Sequence, residues 1–166
     1  MKVKFKKTHP DAKIPVKHYD EDFCYDLYAT SCEEIAPNVW KYGLGLAFEI
    51  DKEGYTYSIK SAKKIAKYMG VEGDETLIFS LDFRPRSSVW KTGMVLSNCI
   101  GTVDELFRGE VSAVFYHVMP DMPRYEIGDR VVQCKLGLTL PIEWEEVEEL
   151  SKTERNENGY GSTGLK

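Results

Sequence analysis

Apolar and polar positions alternate along most of this chain with a period of two, the signature of half-buried β-strands. Met1 to Lys7 alternates in this way. His9-Pro10-Asp11-Ala12 and Ile14-Pro15 then break the pattern, Pro15 keeping Ile14 extended. Phe23 to Ala29 alternates again, with Asp26 in the middle of an otherwise apolar strand. Glu33 to Asn38 reads as a turn, and Trp40 to Ile50 returns to strand pattern. Thr76 to Phe83, Val111 to Val118 and the run from Tyr125 to Cys134, with Gly128-Asp129 as its turn, complete the β-forming segments. One stretch has another period. Ser61 to Gly70 places Ala62, Ile65, Ala66 and Met69 on one helical face, with Ser61 as N-cap and Gly70 as stop. Short strands, Gly/Pro turns and one helix predict an all-β barrel or jelly roll. The helix reads as a cover for a barrel edge.

Composition changes this picture little. With 166 residues, 42% hydrophobic and 12% aromatic, the chain is long enough for one domain with a real core. The net charge of −5 and the lack of a basic block argue against sequence-independent nucleic-acid binding. No apolar run approaches membrane-spanning length, and Lys2, Lys4, Lys6 and Lys7 read as an edge strand and not as an apolar leader. Cys24, Cys32, Cys99 and Cys134 have no CxxC spacing and no histidine cluster, which fits reduced cysteines in a cytoplasmic protein better than a zinc site. Glu143 to Glu149 is acidic, with Trp144, Val147 and Leu150 as anchoring apolar residues. Residues 151–166 have the composition of a flexible tail.

Candidate chemistry gathers between Phe83 and Gly109 and in the tail. Arg86-Ser87-Ser88 is an anion candidate, because a guanidinium forks onto phosphate oxygens and hydroxyls supplement it. The glycines around Tyr160, Gly161, Ser162 and Thr163, with Arg155 upstream, would let backbone N–H groups approach phosphate, while Tyr160 could stack on a base. Asp104, near Arg108, either activates a water or simply pairs with that arginine. Asp26 is either functional or an outward-facing residue on an edge strand. His9, His18 and His117 lie far from these motifs. With neither a GKS nor a GxGxxG motif, phosphate chemistry here would lean on carboxylate-held Mg²⁺.

In this order the segments resemble the trimeric dUTP nucleotidohydrolases (dUTPases), over nearly the whole chain except about 51–75. Cys24 to Ala29 resembles the family's first motif and Arg86-Ser87-Ser88 the second. Asn98 to Gly109 resembles the third, Gly128 to Gln133 the fourth and Arg155 to Gly164 the fifth. The resemblance implies a distorted jelly-roll-like barrel spanning residues 1–150, with an inserted segment near 51–75, and a nucleotide-covering arm over 151–166. It implies hydrolysis of dUTP to dUMP and pyrophosphate, which keeps uracil out of DNA and supplies dUMP for thymidylate synthesis. Asp104 would be the general base. Asn98, Thr102 and Val103 would read uracil, and Phe107 would stack on deoxyribose and reject a 2′-hydroxyl. Arg86, Ser87, Ser88 and Gln133 would hold phosphates, with Asp26 supporting hydrated Mg²⁺. The arm would close over a neighbour's site, Tyr160 at the uracil and Arg155, Ser162 and Thr163 at the γ-phosphate, with Gly161 also binding substrate. A homotrimer with shared sites follows.

The chain departs from the family pattern in places. Cys24 replaces a glycine, Leu106 a second aspartate and Phe107 a tyrosine, while Asn156 and Asn158 replace tail glycines. Two other readings stay open. A dCTP deaminase of the same fold would need an acid in the strand after Gly109, and Val111 to Tyr116 offers none. A non-catalytic regulator would use dUTP as a switch and the inserted segment as its partner-binding face.

Overall fold

The computed structural model describes residues 2–51, 78–139 and 142–157. Ten strands account for the described secondary structure apart from one 3₁₀ turn, Ser87–Lys91. They are β1 (Lys2–Lys7), β2 (Tyr25–Tyr28), β3 (Ser31–Ala36), β4 (Val39–Gly43) and β5 (Leu46–Asp51), followed by β6 (Ile78–Pro85), β7 (Met94–Leu96), β8 (Gly101–Asp104), β9 (Ser112–His117) and β10 (Arg130–Thr139). They form an all-β, jelly-roll-like arrangement of a β1-β5 pair and two four-stranded sheets, β2-β10-β6-β8 and β3-β4-β9-β7. Every strand pair is antiparallel.

Three local expectations change. Glu33 to Ala36 is not a turn but part of β3, because pairing with β4 satisfies its backbone. The hairpin closes at Pro37-Asn38, where Asn38 takes the left-handed conformation (φ 59°) that asparagine tolerates. The long strand expected from Trp40 to Ile50 breaks at Gly45 (φ 66°), so β4 and β5 enter different sheets. A side chain at Gly45 would collide with His9, Thr30 and Ala12. Tyr125 and Glu126 lie in a loop, and the strand expected there starts only at Arg130. The helix expected over 61–70 lies outside the described residues.

The core sits between the two four-stranded sheets, where alternate residues point inward except at the start of β10, whose register shift buries both Val131 and Val132. Leu27, Val131, Val132 and Phe83 come from one sheet, and Tyr42, Phe115, Met94 and Leu96 from the other. Tyr42, Phe115 and Tyr125 stack edge to face with ring centroids 5.5 to 6.1 Å apart. Burial leaves the Tyr42 hydroxyl one good acceptor, the Tyr125 carbonyl at 2.9 Å. Desolvation raises its pKa.

Residues 142–157 carry no strand and are exposed throughout. Trp144 and Leu150, expected to anchor this run, are both 86% exposed among the described residues. No helix among the described residues is long and apolar enough to cross a membrane.

Candidate functional site

Two clusters of the predicted residues emerge, at opposite ends of β6. The first surrounds Asp26. β2 is an edge strand, as the plainer reading of Asp26 had it, and pairs with β10 so that Asp26 lies opposite Gln133. Beyond the end of β6, Pro85 leads into Arg86, whose backbone is extended and whose carbonyl accepts the Val89 N–H at 3.0 Å to start the 3₁₀ turn. This geometry turns the Arg86 guanidinium back onto β2. Its Nε donates to Asp26 Oδ1 at 2.8 Å, and its Nη1 faces Ser88 Oγ at 3.5 Å. Gln133 Nε2 donates to the Pro85 carbonyl at 3.0 Å and so ties β10 to the same turn.

Arg130 completes this cluster, donating from Nη1 to Asp26 Oδ2 at 3.0 Å. Motif-level reading missed it as a site residue. The signal lay in the Gly128-Asp129 turn before it. Gly128 has φ 94°, its N–H donates to the Ala29 carbonyl, and the Ala29 N–H donates to the Asp129 carbonyl. The turn is thereby fastened to the end of β2, and the next side chain must pass Asp26. A cavity of about 370 Å³ opens here, lined by Asp26, Arg86, Ser87, Arg130 and Gln133, with Cys24 and His18 on its wall. His18 was expected to lie far from the motifs; the loop before β2 brings it in.

The second cluster is the β8 turn. β8 pairs with β6, placing Gly101 opposite Phe83 and Asp104 opposite Ser80. Asn98 sits on the loop before it, its amide beside Gly101. Asp104 is exposed at the strand end, and its carbonyl accepts the Phe107 N–H at 3.0 Å. The expected alternative, an Asp104–Arg108 pair, does not form. Arg108 Nη1 instead donates to the Phe107 carbonyl at 3.0 Å and to that of Glu105, and its Nε lies 3.8 Å from Glu49. Among the described residues no ion pair reaches Asp104, so its carboxylate is open to solvent.

Thr102, Val103, Asp104 and Phe107 are therefore brought together, as are Asp26, Arg86, Ser87, Ser88 and Gln133. The two groups are not joined within one chain. Six residues of extended β6 separate Ser80 from Arg86, about 20 Å at ordinary strand rise. Arg155 is exposed on the segment after β10, and Tyr160, Gly161, Ser162 and Thr163 lie outside the described residues.

Among the described residues no three His, Cys, Asp or Glu side chains gather as a metal cage. Each Asp26 oxygen accepts one guanidinium N–H and keeps lone-pair directions for a water hydrogen. Asp26 would hold a hydrated Mg²⁺ through such a water, and the ion would supply positive charge beside the cavity.

No family model matches the chain. The deoxyuridine 5'-triphosphate nucleotidohydrolase of Nautilia profundicola is 32% identical over 166 residues, covering 99% of this chain and 99% of that protein. Two solved phage structures share the fold. The Staphylococcus bacteriophage 80alpha dUTPase with dUPNHPP, from work describing phage dUTPases as controlling transfer of virulence genes, superposes with a TM-score of 0.67 at 21% identity, over 99% of both chains. A mutant dUTPase from phage phi11 of S. aureus, described with a structural Mg(II) ion, superposes with a TM-score of 0.61 at 16% identity, over 92% of this chain and 100% of that one. Identity at the level of the Nautilia relative, sustained over almost the full length, means that the chain belongs to the deoxyuridine 5'-triphosphate nucleotidohydrolase family.

Proposed function

We propose that this chain hydrolyses dUTP to dUMP and pyrophosphate. Asp104 is the general base: it takes a proton from a water whose oxygen attacks the α-phosphorus. The bond to the bridging oxygen then breaks and the pair of electrons leaves with pyrophosphate. Thr102, Val103 and Asn98 read the uracil, and Phe107 packs on the sugar. Arg86, Ser87, Ser88 and Gln133 orient the phosphates. Removing uracil nucleotides from the DNA precursor pool and supplying dUMP in the cytoplasm are the corresponding cellular roles.

The observation that carries this reading is the split of the site. An open carboxylate beside an aromatic ring stands at one end of β6, and a guanidinium-lined cavity stands about 20 Å away at the other. Neither half can complete the reaction alone, which supports a homotrimer whose sites join different chains. Charge supports the same arrangement. The cavity's two guanidiniums both pair with Asp26, and Asp22 adds a second carboxylate to its lining, so little positive charge remains for a polyanion. A triphosphate would need cations from elsewhere, and Arg155 of another copy together with Mg²⁺ would supply them. Bound Mg²⁺, its waters received by Asp26, would neutralise phosphate charge. An arm containing Tyr160, Gly161, Ser162 and Thr163 would then exclude water.

Pyrophosphate release from dUTP, measured against dCTP, dTTP and UTP with and without Mg²⁺, tests the proposal. Fast release from dUTP alone is expected; equal release from all four, or none, would refute it. A second reading is favoured by the regulatory description of the phage 80alpha neighbour. In it the segment near 51–75 binds a protein partner under control of dUTP. Such a regulator would bind dUTP without releasing pyrophosphate, and deleting that segment would abolish its partner binding.

A further inference from the structure

Residue 109 is glycine for a reason other than backbone conformation. Its φ lies outside the left-handed range, so the main chain there would accept an L side chain. What occupies the space is the distal edge of the Phe107 ring. A Cβ built on Gly109 would stand 2.7 Å from Phe107 Cζ and 3.2 and 3.3 Å from its two Cε atoms. These are the three nearest atoms to that position.

The backbone of Phe107 is tethered on both sides. Its N–H is held by the Asp104 carbonyl at 3.0 Å, and its own carbonyl by Arg108 Nη1 at 3.0 Å. Only the side-chain torsions are free, and the ring is 46% exposed, so it would swing outward at little cost to the fold. We infer that Gly109 is a specificity-positioning residue: it forms the floor on which the Phe107 ring lies, and so sets where that ring meets the substrate sugar. The inference rests on the proposed sugar-facing role of Phe107 and adds the residue that aims it.

Gly109→Ala closes that floor. The ring must retreat by about 0.7 Å to regain ordinary contact at 3.4 Å, and displacements of this size change rates by about tenfold or more. The expected result is a fall of about tenfold in the ratio of kcat/KM for dUTP over UTP, with thermal stability unchanged. In a Phe107→Ala background, Gly109→Ala should change that ratio no further, because there is no ring left to displace. An equal effect in both backgrounds would overturn the inference. So would failure of Gly109→Ala to fold, since it would mean that the backbone or another neighbour demands glycine.

A readout independent of turnover separates this inference from the functional reading. In the NMR spectrum the Gly109 Hα resonances should be moved upfield by the ring current and return to ordinary values in Phe107→Leu. Absence of that shift overturns the geometry whatever the enzyme hydrolyses. Its presence in a protein that releases no pyrophosphate from dUTP upholds the ring-on-glycine contact and refutes the specificity role.

Discussion

Asp26→Asn tests how the phosphate-side cluster is held together. The substitution keeps the shape and one acceptor oxygen but removes the charge shared by two guanidiniums. The contact to Arg86 is short (2.8 Å) and shielded, with side-chain exposures of 14% for Asp26 and 24% for Arg86. A charge-assisted hydrogen bond in such a setting is worth about 1.5 to 3 kcal/mol. The contact to Arg130 at 3.0 Å involves a side chain that is 42% exposed, and solvent screening reduces it to about 0.5 kcal/mol. Allowing for the acceptor that asparagine retains, the net loss is about 2 kcal/mol. In a chain of this length that corresponds to a fall in Tm of about 4 to 8 °C. Thermal unfolding must be followed at fixed protein concentration, because assembly would make Tm concentration-dependent. A double-mutant cycle with Arg86→Gln should return a coupling of at least about 1 kcal/mol. A drop in Tm below about 1 °C, or energies that simply add, would refute the claim that this carboxylate fastens β2 to the Arg86 turn.

The remaining expectations concern chemistry and core. Asp104→Asn should leave nucleotide affinity nearly intact and lower turnover by about 10²-fold or more; single-turnover kinetics beside a binding titration checks both. Truncation after Lys152 should cripple hydrolysis while light scattering still reports the assembled oligomer, and a fully active truncate would contradict the closing arm. Tyr42→Phe removes the donor to the Tyr125 carbonyl and should cost about 1 to 2 kcal/mol in denaturant titrations. Burial pushes the Cys134 thiol up to about 12 from its ordinary 9.0. Because the folded pKa is the higher one, stability is complete below pH 9 and declines above it, by up to about 1.4 kcal/mol per pH unit from this group. Cys134→Ala should flatten that slope between pH 9 and 10, before Tyr42 and Tyr125 begin to contribute; an unchanged slope would mean that the thiol is not the group responsible.

Alternation of side chains was enough to give an all-β chain, and the order of five short motifs was enough to give its family, because both depend on neighbours along the chain. Asp26, Arg86 and Asp104 were legible as candidate chemistry in the same way: a carboxylate in an apolar strand or an arginine on a Ser-Ser turn is unusual where it stands, whereas Gln133 came only from the family resemblance. Pairing was not legible. Glu33 to Ala36 has the composition of a turn and becomes β3 only because β4 lies beside it. Gly45 is an ordinary strand glycine in sequence and a sheet-switching corner in three dimensions. Arg130 entered the site through a turn fastened to Ala29, a hundred positions earlier in the chain. The split of the site belongs to the same class. That Asp104 and Arg86 lie at opposite ends of β6 follows from strand register, which is set by which hydrogen bonds and which apolar faces close together. A residue's own chemistry is local and can be read in order, but register is a choice among distant partners, and only the assembled sheet makes it.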